Sequence, residues 1–258
     1  MEHDAVDRLA RLERQLSALA RPLEQVAGRA LTSAESAVGS VVQPAWRRVT
    51  AAEPRWPVSL VLVGMIALQL LVPARFAVAH PLLLPGVELL LLVVLVASDP
   101  RRVSQRTTVL RGLGLALIGV ASLANGWALG HLVDELLHGK GGNATQLLAT
   151  GSDLYLTNVI IFGLWYWEFD RGGPGARACG QAVVPDFLFP QLTAPELFPD
   201  WEPMFLDYFY VSFTNATAFS PTDTMPLSRW AKLAMMTQSA IALITAALVV
   251  ARAVNVLQ

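Results

Sequence analysis

Five apolar stretches between residues 57 and 251 constrain the fold of this chain more than any other feature. Four carry no charged residue, and the second carries only Glu88. Charged side chains are costly in hydrocarbon, so each stretch is a candidate membrane span. Only 15% of the 258 residues are charged and 54% are apolar, unlike most soluble domains. The sequence predicts an all-α integral membrane protein with about five transmembrane helices, at residues 57–74, 81–98, 112–130, 154–167 and 233–251.

The fourth stretch is short for a membrane span. Its 14 residues give about 21 Å of helix against roughly 30 Å of hydrocarbon. We therefore expect this helix to begin near Thr145 and to carry Asp153 close to the interface. Trp165, Tyr166 and Trp167 at its end are typical of an aromatic belt at the headgroups. The third span is expected to continue to about residue 138.

Residues 1–56 are polar and precede the first span. Leucine and valine recur there at spacings of three and four, as in the seam of a coiled coil. An amphipathic helix lying on the membrane surface would show the same pattern, and both interpretations stay open. The apolar stripe consists of Leu9, Leu12, Leu16, Leu19, Leu23 and Val26.

A short aromatic stretch at residues 204–219 follows a loop rich in Gly and Pro at residues 170–203. The stretch contains Asp207, is too short to cross a bilayer comfortably, and leads into a polar turn. Irregular backbone at membrane depth needs protein or a water-filled cavity to satisfy it. A short helix, a polar turn and then a full span together predict a re-entrant segment.

From Thr214 the chain reads TNATAFSPTDTMPLSRWAKL, which resembles the pore-loop signature of potassium channels. In that family a pore helix leads into a glycine-containing filter, then an Asp, then a Pro-x-Ser/Thr-x-Trp pattern before the inner helix. Pro226, Ser228, Trp230 and Lys232 match that pattern. The resemblance implies filter-like positions at Thr217, Ala218, Phe219, Ser220, Pro221 and Thr222, followed by Asp223.

The segments WEFDRGGP (167–174) and DYFYVSFTNATAFSPTD (207–223) also resemble those of a family of uncharacterised bacterial multi-pass membrane proteins. The apolar stretches and the resemblances together divide the chain into three parts. Residues 1–56 would be a cytoplasmic helix and linker, residues 57–140 a three-span bundle, and residues 141–258 a pore-loop-like module. If the module forms a pore, the resemblance implies a homo-oligomer of four copies.

The filter-like positions depart from the potassium-channel pattern. A potassium filter points successive carbonyls inward, and it needs glycines to reach that backbone. Ser220 and Thr222 stand where the glycines would be, and Pro221 has a fixed φ. We expect hydroxyls and the Asp223 carboxylate to line any pore, giving a weakly selective pathway for monovalent cations.

The distribution of Lys and Arg predicts the orientation. Eleven lie near span ends on the side of the N-terminus and three on the other side. Basic residues favour the cytoplasm, so the N-terminus and the re-entrant loop should both be cytoplasmic, in the cell membrane. That orientation is opposite to ordinary potassium channels. It leaves three interpretations open: an inverted module, one miscounted span, or an interfacial helix without a pore.

Glu88 lies near the middle of the second span, where an ionised carboxylate costs a few kcal/mol. It is a candidate proton or cation relay, or alternatively a protonated or hydrogen-bonded group that helps packing. A weaker candidate is a divalent metal site at the end of the third span, where spacings of three and four place four side chains on one helix face. A polar helix end emerging into water would explain the same residues, His131, Asp134, Glu135 and His138.

These observations favour a channel-like membrane protein with a non-potassium-type filter. The alternatives are a non-conducting scaffold or signalling subunit that retains the pore-loop fold, and a small transporter using Glu88. We expect no enzyme activity and no cofactor, because no nucleophile–base pair or complete metal set converges and Cys179 is the single cysteine. A net charge of -1 gives no attraction to nucleic acid.

Overall fold

The computed structural model describes residues 44–77, 80–98, 108–138, 144–182, 184–218 and 223–257, and the predicted heptad stripe lies outside these ranges. Residues Ala45–Gln258 belong to one compact unit. The longer helices are α1 (Trp56–Leu71), α2 (Leu83–Ser98), α3 (Thr108–Leu137) and α4 (Ala144–Phe169). After them come α5 (Pro174–Ala178), β1 (Phe187–Leu188), α6 (Pro190–Thr193), α7 (Phe205–Ala218), β2 (Met225–Pro226) and α8 (Arg229–Leu257).

Three helices are long and apolar enough to cross a membrane, over Val109–Leu137, Thr145–Gly172 and Arg229–Ala251. They coincide with the third, fourth and fifth predicted spans, and the fourth begins at the expected position. Helices α1 and α2 match the first two apolar stretches, but each has only 16 residues. The protein is therefore mostly helical, and its three long apolar helices fit a membrane protein.

Helix α4 is the central helix of the bundle. It packs against α1, α3, α7 and α8. Its most apolar window is 61% buried, against 28% for the corresponding windows of α3 and α8. Because protein surrounds α4 on most sides, it can carry polar side chains such as Thr157 and Asn158 that would be costly against lipid.

The long helices run up and down the bundle. The ion pair between Arg111 at the start of α3 and Glu168 at the end of α4 marks one end, which we call the basic end. Arg75, after α1, pairs with Glu135 near the end of α3 and marks the opposite end. Helix α8 is antiparallel to α4, because Phe169 contacts Trp230 at the basic end while Gly151 approaches Val249 towards the other.

Strands β1 and β2 form a two-stranded antiparallel sheet at the basic end, with Phe187 opposite Pro226 and Leu188 opposite Met225. The sheet joins the loop that follows α4 to the chain that leads into α8. Trp230 Nε1, in the first turn of α8, donates to Asp186 Oδ1 at 2.7 Å and fixes the same junction.

Candidate functional site

Helix α7 is half as long as its neighbours and ends near the middle of the bundle. It begins at the basic end, where Phe205 contacts Trp167. Midway along α7, Ser212 Oγ donates to the carbonyl of Val159, ten residues before the end of α4. Ala216, two residues before the end of α7, lies in a buried cluster with the same Val159. The chain is back at the basic end by Met225, which pairs with Leu188. The predicted short helix at 204–219 is confirmed as a helix, and its two flanks lie at one end of the bundle.

A close approach of α7 to α4 occurs at Gly163. A Cβ at this position would lie 3.2 Å from the Cα of Phe209. That spacing is tighter than ordinary van der Waals contact and involves backbone, so a larger residue would push the two helices apart. The absence of a side chain at Gly163 therefore allows the half-length helix to lie against the central helix.

A buried group of hydrogen bonds, which we call the Gln238 network, holds α7 against α8. Gln238 is fully buried, and its Oε1 accepts from Tyr166 OH at 2.6 Å and from Asn215 Nδ2 at 2.8 Å. Its Nε2 donates to Ser212 Oγ at 2.6 Å and to the Ser212 carbonyl at 3.0 Å. Ser239 Oγ also lies 3.2 Å from Asn215 Oδ1. Satisfied buried networks of this kind fix one arrangement of the helices.

A second buried group, the Asp170 network, organises the loop after α4. Asp170 is fully buried, and its Oδ2 accepts from Tyr208 OH at 2.5 Å and from Arg171 Nε at 3.0 Å. Its Oδ1 accepts from the backbone N–H groups of Asp186 and Phe187. Each carboxylate oxygen thus has two donors, and the group positions β1 and α7.

The backbone around Asp170 explains why the chain turns here. Arg171 has φ +53°, and the next two glycines have φ +83° and +93°. Glycine reaches this left-handed region without the steric cost that other residues meet, so Gly172 and Gly173 suit the turn. Arg177 lies over the rings of Trp167 and Tyr208 and donates to the carbonyls of Trp167 and Asp170.

Glu53 connects the chain before α1 to the start of α7. Its Oε1 accepts from the Phe205 backbone N–H at 2.6 Å, and its Oε2 accepts from Trp167 Nε1 at 2.7 Å. Burial raises the pKa of the Glu53 carboxyl, while the hydrogen bonds from Phe205 and Trp167 act in the opposite direction. The first N–H groups of a helix have no acceptor within the helix. Glu53 supplies the acceptor for the N–H group of Phe205, the first residue of α7.

The filter-like positions are described only at their two ends. Thr217 is exposed and its Oγ1 donates to the Phe213 carbonyl at 2.8 Å, while Ala218 is the last residue of α7. Asp223 is exposed at the point where the described chain resumes. The positions Phe219, Ser220, Pro221 and Thr222 lie outside the described residues.

Glu88 is fully buried between helices, as a spanning carboxylate facing protein would be. Its Oε1 accepts from Gln69 Nε2 of α1 at 3.1 Å. Within the part of the chain that the structure describes, Glu88 Oε2 has no hydrogen-bond partner, and neither have Asn125 Oδ1 and Thr157 Oγ1. Glu88 is the sixth residue of α2, so it lies nearer the start of its helix than the sequence predicts.

A cavity of about 50 Å³ lies among α1, α2, α3 and α4, and its polar lining residues are Gln69, His80, Asn125 and Thr157. A water molecule needs roughly 10–15 Å³ of such space and two or more polar partners. Gln69 connects this cavity to Glu88 through their hydrogen bond. The arrangement therefore places a buried carboxylate next to a site that has room for water.

The candidate metal residues at the end of α3 have separate partners. Glu135 pairs with Arg75 at 3.3 Å, His138 Nδ1 lies 3.0 Å from Asp134 Oδ1, and the His131 ring lies against Trp127. Among the described residues, no group of three or more His, Cys, Asp or Glu side chains is arranged to hold a metal ion. The idea of a metal site at His131, Asp134, Glu135 and His138 therefore gains no support from the geometry.

The predicted aromatic belt is wrong for two of its three members. Tyr166 is fully buried and Trp167 is 6% exposed, so both face protein. Trp165 is half-buried and donates to Ser122 Oγ at 3.0 Å. Asp153, expected near the interface, is also buried within the bundle at 9% exposure. Tyr166 and Trp167 donate hydrogen bonds to Gln238 and Glu53 of the protein, where the sequence predicts contacts with the membrane interface.

No family model, curated protein or solved structure matches this chain. The fold and the site therefore define only a class, that of a helical protein whose long apolar helices fit an integral membrane protein. Within that class, its distinctive features are the half-length helix α7 and the two buried networks that hold it.

Proposed function

We propose that this chain is a channel-like integral membrane protein with five crossing helices, in which α7 is a re-entrant helix. The observation that supports this most is the path of α7, which enters from the basic end and stops at mid-bundle before the chain returns to that end at Met225. Four copies arranged around an axis would bring the turns after α7 together. The pathway would conduct monovalent cations with weak selectivity.

The direction of α7 favours cations. Its backbone dipoles sum to a partial negative charge at the C-terminal end, near Ala218. This end lies towards the middle of α4, because Ala216 packs in a cluster with Val159. In a five-crossing arrangement it would lie at membrane depth, where electrostatic effects are strong. The sequence then supplies hydroxyls at Ser220 and Thr222 and a carboxylate at Asp223. These groups suit a hydrated monovalent cation rather than a bare potassium ion.

Five crossings require α1 and α2 to span as well. Each has 16 residues, about 24 Å of helix, against roughly 30 Å of hydrocarbon. Short helices can be accommodated by local thinning of the bilayer. In the five-crossing arrangement Arg55, Arg111, Arg171 and Arg177 lie at the basic end, so this end and the N-terminus would be cytoplasmic.

The first test of the pore is Asp223→Asn in the purified full chain, reconstituted into liposomes. If Asp223 lines a cation path, loss of its charge should lower sodium and potassium flux several-fold and weaken the preference for cations over chloride. Both properties are measured as ion-selective flux into the vesicles. The matched control is Asp200→Asn, another exposed carboxylate at the basic end, which should leave flux unchanged.

Two outcomes would count against the proposal. Unchanged flux and selectivity in Asp223→Asn would remove Asp223 from the pathway. A subunit count of one or two, from native mass spectrometry of the protein in lipid nanodiscs, would leave no central axis. The non-conducting scaffold or signalling subunit would then be the better description.

A second candidate function, a proton or cation relay through Glu88, is favoured by the unpartnered Glu88 Oε2 and by the adjacent cavity, which has room for water and several polar side chains in its lining. Glu88→Gln should abolish any pH dependence of flux, because the amide cannot take up or release a proton. Glu135→Gln is the control, since this carboxylate pairs with Arg75 at the end of the bundle. Unaltered pH dependence in a correctly assembled Glu88→Gln variant would exclude the relay.

A further inference from the structure

Three buried side chains on adjacent helices carry oxygen atoms that have no hydrogen-bond partner in the described part of the chain. The atoms are Glu88 Oε2 of α2, Asn125 Oδ1 of α3 and Thr157 Oγ1 of α4. The three side chains are 0%, 6% and 1% exposed. Buried polar atoms in proteins nearly always have a partner, so three such atoms in one part of the bundle require an explanation.

The cavity of about 50 Å³ among α1, α2, α3 and α4 connects these atoms. Asn125 and Thr157 line it, and so does Gln69, whose Nε2 donates to Glu88 Oε1 at 3.1 Å. Residues 84–85, one turn before Glu88 on α2, line it as well. Side chains in a helix lean towards its N-terminus, so the Glu88 carboxylate lies over the turn that borders the cavity. A water-sized particle needs roughly 10–15 Å³ of such space, so the cavity has room for an ion with some of its water.

The Glu88 carboxylate has no cationic side chain beside it in this cavity. The described residues that line the cavity include no Lys or Arg, and their one titratable member is His80. His80 Nδ1 accepts from the Leu82 backbone N–H at 3.4 Å, so this nitrogen carries no proton and the ring is neutral. A buried carboxylate without a counter-charge is costly. Water would satisfy its hydrogen bonds but leave the charge uncompensated, whereas a bound cation would do both.

We propose that this cavity binds one monovalent alkali cation, held by the Glu88 carboxylate and by the side-chain oxygens of Asn125 and Thr157. Carboxylate, amide and hydroxyl oxygens are the ligands that hard cations prefer. One carboxylate balances one positive charge, which favours a monovalent ion over a divalent ion. Sodium and potassium share this chemistry.

The bound ion would link α2, α3 and α4 and so stabilise this part of the bundle. The site rests neither on a pore at Asp223 nor on the passage of protons or ions through Glu88. It requires only that an ion stays bound, and binding can be measured without any flux.

Sodium chloride is the first probe, added to the purified full chain in a non-ionic detergent, with choline chloride keeping the ionic strength constant. A ligand that binds only the folded protein raises the unfolding midpoint. We expect a rise of about 5–10 °C at a sodium concentration about 100-fold above its Kd. Radioactive sodium at equilibrium should saturate at one ion per chain. The same titration with potassium chloride shows which alkali ion the site prefers, as the ion with the lower Kd.

Glu88→Gln tests the charge. This variant should bind no sodium and should lose the sodium-dependent rise of the midpoint. In choline chloride its midpoint should equal or exceed that of the wild type, because it has no buried charge to compensate. A side chain that only packs would lower the midpoint equally in both salts, so a general loss of stability and a loss of the ion are distinguishable.

A pair of threonine variants tests the position of the ion. Thr157→Val keeps the shape of the side chain but removes one oxygen ligand, and it should weaken sodium binding at least about tenfold. Thr245 is also buried, on α8, and its hydroxyl donates to the Ile241 carbonyl at 2.7 Å. It does not line the cavity, so Thr245→Val is the matched control and should bind sodium normally.

Three results would overturn the site. They are equal wild-type midpoints in sodium, potassium and choline chloride, undiminished sodium binding to Glu88→Gln, and a midpoint that rises with calcium chloride but with neither alkali ion. One bound sodium or potassium ion in a chain that conducts nothing supports the site, and it removes only the proposed pore and relay.

Discussion

Asp170→Ala is expected to destabilise the protein more than any other single change considered for this chain. The substitution leaves Tyr208 OH, two backbone N–H groups and the Arg171 side chain without their acceptor. Removing one partner of a buried charged pair typically costs about 3–5 kcal/mol. For a chain of this size that corresponds to a fall of roughly 6–20 °C in the unfolding midpoint. The midpoint is measured by intrinsic fluorescence of the protein in detergent.

Asp200→Ala is the matched control, because it removes an exposed carboxylate from the same loop. Its unfolding midpoint should remain within about 2 °C of the wild type, as surface changes usually cost less than 0.5 kcal/mol. Asp170→Asn separates charge from hydrogen bonding, since the amide keeps one acceptor oxygen and should lose less stability than alanine. Equal midpoints for Asp170→Ala and Asp200→Ala would mean that the Asp170 network does not hold the loop.

Gln238→Leu is expected to have the second-largest effect, by loosening α7 from α8. The leucine leaves Tyr166 OH without its acceptor and Ser212 Oγ without its donor. Each buried polar group left unpaired costs about 1–3 kcal/mol. Burial of the apolar leucine offsets part of this cost, so we expect a net loss of about 2–4 kcal/mol. If α7 positions a pore, cation flux into liposomes should also lose selectivity in this variant. Stability and flux are measured on the same preparation.

Tyr166→Phe provides the test that the loss comes from the network. Because Tyr166 and Gln238 share one hydrogen bond, the two substitutions together should cost less than the sum of the single changes. Thr237→Val is the control on α8, since Thr237 is exposed and its hydroxyl donates to the Leu233 carbonyl of the same helix. Strictly additive losses in Tyr166→Phe and Gln238→Leu would show that the bond between them contributes little.

The positions of the helices could be predicted well from the sequence because apolar content alone indicates them. The stretch 204–219 became the helix Phe205–Ala218, and the fourth span begins near Thr145 as its short apolar core required. What apolar content could not predict is which helix lies at the centre. The sequence predicts Tyr166 and Trp167 in an aromatic belt at the headgroups, but they face the protein because α4 is surrounded by other helices.

The sequence does not predict the two buried networks. Their hydrogen-bond partners are far apart in the sequence, so no motif or regular spacing indicates that they meet. Tyr208 lies 38 residues from Asp170, and Gln238 lies 72 residues from Tyr166. One signal was present around Asp170, where an arginine and two glycines follow and indicate an unusual turn. For Glu88 the sequence leaves a relay and a packing role open, and its burial and its hydrogen bond from Gln69 are compatible with both.

The hydrogen bond from Phe205 N–H to Glu53 also bears on how the chain assembles. The two residues are 152 positions apart, as are Thr50 and Glu202, which bond beside them. During synthesis the segment before α1 is made long before α7. These contacts can therefore form only late in folding, and contacts of such large sequence separation lower the folding rate. A shortened chain beginning at Trp56 would retain the described helices α1 to α4, α7 and α8 but lose this closing contact. We expect such a chain to insert into the membrane and to leave the start of α7 unanchored and open to proteases.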